Sequence, residues 1–200
     1  VTEGIMARYT GPILKRCRAL GIEPQVVGID KKSRRNPKRN TRKLSDYGMQ
    51  LREKQKAKFI YGVTEKAFRN LYGRANRMGG QAGWNLLKLL ELRFDNVVYR
   101  MGFASTRAQA RQLIVHGHFD LNGHKATVPS MTLEVGDVIS VREKSRKNAF
   151  FKSTEENIWN QMPWVSVDEE KLQGRILSEP MRDNIDYPIE ETQIVELYSK

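Results

Sequence analysis

Apolar side chains recur at helical spacing through the middle of this chain, and the period then changes to two. Ser45 and Asp46 can cap a helix running to about Tyr61, where Gly62 ends it. Thr64 starts another through about Met78, on which Ala67, Phe68, Leu71, Tyr72 and Ala75 form one apolar face. Gly79, Gly80 and Gly83 interrupt the chain without the Lys-Ser/Thr of a nucleotide-binding loop, so they read as a linker. Trp84 to Leu92 resumes as a strongly apolar helix. Arg93 to Arg100 predicts a short helix with Phe94, Val97, Val98 and Met101 turned inward, stopped by Gly102. Thr106 begins a further helix with Gln109 three residues on, which is the capping-box spacing. Its Ala110, Leu113 and Ile114 point to the core, and Gly117 ends it. Phe119 and Leu121 alternate into Asn122-Gly123, a hairpin turn signal, and Val138 to Val141 follows as a later strand. The class this predicts is α+β: a mostly helical N-terminal domain with a basic extended arm, and an inserted small domain of two short helices on a small antiparallel sheet.

Residues 1–43 lack this patterning. Gly11, Pro12, Gly21, Pro24, Gly28 and Pro37 punctuate residues 8–43, and few apolar side chains are available to fold them alone. They are expected to form an arm that orders on a partner. The expected domains are therefore the arm at 1–43, a helical domain at 44–92 completed by 151–200, and the small domain at 93–150. The acidic segment 151–200 is expected to pack back on the helical domain.

Charge decides what kind of partner to look for. The 200 residues carry a net charge of +12, distributed unevenly. Residues 1–60 have 16 basic and 5 acidic side chains, residues 61–150 have 14 and 7, and residues 151–200 have 5 and 11. Such asymmetry calls for a polyanion, either nucleic acid or an anionic membrane surface. A membrane surface needs a basic amphipathic helix with a broad apolar face, whereas Lys31 to Lys43 is basic and almost devoid of apolar residues. Nucleic acid is thus the expected partner. No apolar run is long enough to span a bilayer, and Val1 to Gly11 has no apolar core of secretory type. Cys17 is the single cysteine, so no internal disulfide can form and no tetrahedral zinc site can be built around it. Neither metal nor cofactor is expected.

Arg107 and Arg111 lie one turn apart, on the side of their helix opposite Ala110 and Ile114. Two guanidinium forks above the positive end of a helix make a phosphate-binding surface, with an ordinary solvated helix face as the plain alternative. Arg100, Lys144 and Arg146 are expected to help. Phe94 and Phe119 are spaced for the core and Tyr99 stands alone, so no aromatic platform for single-stranded bases is predicted. Recognition should be of folded shape, with charge supplying affinity.

The stretch Arg93-Phe94-Asp95-Asn96-Val97-Val98-Tyr99-Arg100-Met101-Gly102-Phe103-Ala104-Ser105-Thr106-Arg107-Ala108-Gln109-Ala110-Arg111-Gln112-Leu113 closely resembles the signature of the alpha-L RNA-binding motif. In its wider context it is similar to the ribosomal protein S-four family of the small subunit. The resemblance continues through His116-Gly117-His118, Asn122-Gly123, Pro129-Ser130, Gly136-Asp137 and Arg142-Glu143-Lys144-Ser145. Met6 to Pro12 resembles the family's start, Leu44 to Lys56 its first helix, and Ile194 to Lys200 its last strand. Val1 to Ile5, which precede that start, are expected to carry no function. The resemblance implies a primary binder of 16S ribosomal RNA that helps nucleate assembly of the subunit body. It also implies contact with ribosomal protein S-five bearing on translational accuracy, other small-subunit proteins as neighbours, and a place beside the path by which messenger RNA enters. No small-molecule substrate and no membrane partner are implied. The setting is the small ribosomal subunit in the bacterial cytoplasm, with a plastid the lesser alternative. The Pro-Gly-x-His-Gly segment of many members is replaced here by Asn36 to Lys43.

The candidate RNA-binding residues are then Arg8, Lys15, Arg16, Arg18, Arg34, Arg35, Lys38, Arg39, Arg42 and Lys43 in the arm. Arg100, Thr106, Arg107, Arg111, Gln112, His116, His118, Lys144 and Arg146 complete the set in the small domain. The alternative class is an RNA-modifying enzyme or a ribosome-rescue factor carrying the same module. An enzyme needs a catalytic domain with a placed acid, base or nucleophile. The residues after 147 are net acidic and broken by Pro163, Pro180 and Pro188, and Asp95 reads as a structural carboxylate of its helix.

Overall fold

The computed structural model describes residues 9–31, 35, 44–148, 151, 162–185 and 187–199. The chain divides into two compact units, one formed by Val1–Leu87 with Tyr187–Lys200 and the other by Lys88–Asp186. The architecture is α+β.

In the first unit the predicted helices form as α2 (Asp46–Ile60) and α3 (Glu65–Arg77). Ser45 caps α2 by accepting from the Gly48 N–H at 3.2 Å. Phe68, Leu71 and Ala75 of α3 are buried, as the periodicity requires. The segment from Ile13 to Val27 departs from the expected arm. Residues Ile13–Leu20 form a helix, α1, and Pro24–Val27 a 3-10 turn. Cys17, Leu20 and Ile22 are buried, and Arg52 of α2 donates to the Leu20 carbonyl at 3.3 Å. The apolar stripe is only a few residues long and hidden among Lys15, Arg16 and Arg18. Gly21 and Gly28 are left-handed C-caps (φ 70° and 78°) rather than loop breaks.

Ile194 to Tyr198 is not a strand. Residues Glu191–Tyr198 are helical, here α8, with Ile194 fully buried. Gln50 of α2 donates to Glu196 at 2.9 Å, and the Glu190 N–H donates to Glu53 at 3.3 Å. The Tyr198 ring stacks on Tyr72 with centroids 4.3 Å apart. Ile194 and Val195 favour strands in isolation, but packing on α2 overrides that preference.

The second unit begins within helix α4 (Ala82–Glu91) and continues as α5 (Phe94–Arg100), α6 (Arg107–Val115), a single helical turn α7 (Glu143–Arg146) and one antiparallel sheet. The strands are β1 (Phe119–Leu121), β2 (His124–Lys125), β3 (Val138–Val141), β4 (Val165–Asp168) and β5 (Gln173–Ile176), in the order β2-β1-β3-β5-β4. Asn122 and Gly123 both have positive φ, 50° and 81°, which is the two-residue hairpin geometry anticipated for Asn-Gly. The sheet is larger than expected. The acidic segment does not return whole to the helical unit, because β5 pairs with β3 through Ile139 and Gly174. Without that pairing β3 would present an open edge. Gly174 is required there, because a Cβ would strike the Met101 side chain. Phe94, Val97, Val98, Met101, Ile114, Phe119, Ile139, Trp164 and Ile176 build one core beneath the sheet.

Candidate nucleic-acid interface

α6 is set by its cap. Thr106 accepts from the Gln109 N–H at 3.1 Å, and the Gln109 side chain accepts from the Ser105 N–H at 2.9 Å, one residue earlier than in the usual reciprocal box. Ala110 and Ile114 face the core and Gln112 faces solvent.

The arginines of the motif separate into internal and external members. Glu91 is buried and accepts from Arg100 at 3.0 and 3.1 Å and from Asn96 at 2.7 Å. Asn96 in turn accepts from Arg107 Nε at 2.7 Å, and the Arg107 guanidinium lies 4.3 Å from the Tyr99 ring centroid. Arg100 is 1% exposed and Arg107 7%. The expected outward pair at 107 and 111 is therefore corrected, and so is a phosphate contact by Arg100. A guanidinium sheds its hydration more readily than an ammonium and stacks on aromatic faces, which suits it to such a buried chain. Asp95 is buried, as expected of a structural carboxylate. It accepts from Arg93 at 3.0 and 2.7 Å and lies 3.4 Å from Arg111. Arg111 alone of the two remains partly open, its side chain 32% exposed.

Beyond Arg111 the end of α6 and the α7 turn come together at Gly117 and His118. His118 Nδ1 lies 2.9 Å from Ser145 Oγ. The Arg142 backbone N–H donates to the His118 carbonyl at 3.0 Å, and its guanidinium reaches the Gly117 carbonyl at 3.4 Å and Asp120 at 3.2 Å. Gly117 (φ 74°) lies under Lys125, whose Cε a Cβ at 117 would meet at 2.6 Å. The turn after α6 thus gathers the α7 turn and Lys125 around it, and His116, Lys125, Lys144, Arg146 and Lys147 are all exposed. Burial, together with repulsion from His116, holds the His118 imidazole below its ordinary value. It is neutral at pH 7 and acts here as a hydrogen-bonding group rather than a cation. Sequence reasoning passed over Arg142, Lys125 and Lys147. The first and last lie inside the basic run that closes β3, so the signal was present. Lys125 becomes adjacent only through the hairpin.

In the first unit, Lys15 is exposed, Arg16 donates to Gln55 at 3.0 Å, and Arg18 is half-buried. Arg35 is exposed, whereas Arg8, Arg34, Lys38, Arg39, Arg42 and Lys43 lie outside the described residues. Lys66, Arg69, Arg74 and Arg77 form an exposed basic stripe on α3 that the sequence reading did not single out, although their helical spacing was visible. Among the described residues, no three His, Cys, Asp or Glu side chains gather as a metal site would require.

Residues 8–91 match the model of the ribosomal protein S4/S9 N-terminal domain, and residues 92–139 match that of the S4 domain. The chain is similar over its length to small ribosomal subunit protein uS4 of Lachnospira eligens, 52% identical across 98% of this chain and 100% of that protein. Protein uS4A of Clostridium acetobutylicum is 50% identical, and uS4 of Clostridioides difficile 50%, each over 98% of this chain and 100% of the relative. The match covers the module and its flanks alike, which sets aside an enzyme or a rescue factor that shares the module only.

Proposed function

The chain belongs to the uS4 family of small ribosomal subunit proteins, a structural rather than enzymatic family, and from that premise we propose that it holds folded ribosomal RNA through the basic surface around the end of α6. The observation that carries this reading is that the turn closing α6 meets the α7 turn and Lys125, where His116, Lys125, Lys144, Arg146 and Lys147 are exposed, with partly open Arg111 earlier on the same helix. The buried Glu91–Asn96–Arg107 chain and the Asp95 pair fix the helices that present it. The contacts are to phosphate, since the described residues of this face offer cations and no stacked aromatic platform. Thr106 and Gln109 serve the helix cap, and Arg100 and Arg107 serve the scaffold. The arm cations Arg8, Lys15, Arg18, Arg34, Arg35, Lys38, Arg39, Arg42 and Lys43 add a second, independent set of phosphate contacts.

An early place in assembly of the subunit body, contact with ribosomal protein S-five, a bearing on accuracy and proximity to messenger RNA follow from the family resemblance. α8 and its exposed Glu190 provide an acidic surface suited to a protein neighbour rather than to RNA. The test is affinity for in vitro transcribed 16S ribosomal RNA as a function of salt. Each of Arg111→Ala, Lys144→Ala and Arg146→Ala should weaken binding and flatten the slope of log affinity against log salt by about one unit. Unchanged slopes in all three would place the RNA on another face.

A further inference from the structure

Among the described residues, Asp95 is the one carboxylate paired with Arg111. Its side chain is 6% exposed and held by both Nε and Nη2 of Arg93, a planar two-point grip. The same Oδ2 that takes Arg93 Nη2 at 2.7 Å lies 3.4 Å from Arg111 Nη1, longer than an ordinary hydrogen bond. The two arginines are thus unequal. Arg93 is buried and engages both carboxylate oxygens, while Arg111 is held at arm's length with about a third of its side chain open to solvent.

An unrestrained arginine side chain sweeps many rotamers and loses that freedom when it meets a phosphate. A weak electrostatic hold reduces the loss, provided it is not so tight that RNA cannot displace it. We propose that Asp95 is a positioning residue that aims the Arg111 guanidinium at RNA phosphate, and that Arg93, by engaging both oxygens of Asp95, keeps this hold loose. The inference rests on the reading that Arg111 meets phosphate. It makes a prediction opposite in sign to simple charge counting. Removing a negative charge from the neighbourhood of a polyanion should tighten binding, whereas loss of aim should loosen it.

The experiment measures the salt dependence of affinity for in vitro transcribed 16S ribosomal RNA, using the full chain. The variants are Asp95→Asn, Arg111→Ala and the double variant, with thermal melts alongside. Asp95→Asn is expected to weaken binding about fivefold, the size of one ordinary hydrogen bond, and to have no weakening effect once Arg111 is alanine. Because Asp95→Asn leaves a buried guanidinium without its counter-ion, it can fail to fold. Arg93→Lys then carries the test. An ammonium cannot reproduce the two-point grip, so the carboxylate draws Arg111 inward. Binding weakens and the slope drops towards that of Arg111→Ala, with no further change in the Arg111→Ala background. Binding by Asp95→Asn as tight as wild type or tighter would overturn the proposal, as would an equal loss from either variant with and without Arg111. In those cases a normal effect of Arg111→Ala leaves the phosphate contact standing. If Arg111→Ala itself changes nothing, both readings fall together.

Discussion

Three of the four arginines from Arg93 to Arg111 complete the protein rather than its surface, and each does so by donating a hydrogen bond to a buried oxygen. Arg107 shows the consequence best. Its Nε satisfies Asn96, whose own amide serves Glu91, so one guanidinium closes a chain that ends on a buried carboxylate. The Tyr99 ring lies 4.3 Å away and gains a cation over its face. Substituting Arg107→Ala removes the stacked cation and leaves the Asn96 carbonyl group buried without that donor, at a cost of about 2–4 kcal/mol. We therefore expect Arg107→Ala to lower the melting temperature of the second unit by roughly 10 °C or more. Its salt slope for RNA, measured well below the transition, should equal that of wild type. A slope reduced by one unit with an unchanged melting temperature would return Arg107 to the RNA-facing surface. The contrast with Arg111, four residues on, could not be read from helical spacing. Both side chains project from the same face, and what separates them is the position of α5, a tertiary fact.

Among the helices and strands, what sequence periodicity revealed and what it hid follow from how each element is stabilised. α2 and α6 carry their own side-chain caps, α3 and α6 carry apolar faces, and all three were legible. So was the Asn122-Gly123 hairpin, whose turn residues are dictated by their backbone angles. α1 and α8 are eight residues each, too short to stand alone, and exist because α2 receives them. β5 was hidden for a related reason. Gly174 breaks the strand pattern, and its meaning is clear only beside Met101. Gly83 belongs with these, because a Cβ there would lie 3.0 Å from the Cβ and Cγ of Glu191 and 3.3 Å from a Val195 methyl. The glycine read from sequence as part of a linker is where α8 packs close against α4. Gly83→Val should push α8 away and cost about 1–3 kcal/mol through overpacking. Amide exchange should show this as faster opening of 191–198, with β1, β3 and β5 of the second unit unaffected. Unchanged protection of α8 would mean that the helix shifts to accommodate the side chain.

For the chain as a whole, the net charge of +12 is the excess of a basic N-terminal three quarters over an acidic last quarter, and the first 43 residues do two separable jobs. Cys17, Leu20 and Ile22 are core residues of the first unit, while the cations between Lys31 and Lys43 belong to a stretch with almost no apolar side chains. A single deletion of 7–43 would therefore mix loss of core with loss of charge, and two variants are needed to part them. Replacing Arg34, Arg35, Lys38, Arg39, Arg42 and Lys43 by glutamine leaves the buried apolar residues in place. It should leave the melting temperature close to that of wild type, since it removes no apolar side chain from the core. At the same time it should reduce the salt slope for 16S ribosomal RNA by several units, about one for each phosphate no longer neutralised. Leu20→Ala should do the reverse: it empties a buried site, costs about 2–5 kcal/mol in the first unit, and leaves the slope of the folded protein intact. A steep slope that survives the glutamine replacement would assign RNA binding to the second unit and the α3 stripe alone. In that case the basic run from 31 to 43 would act only as a solvated tail.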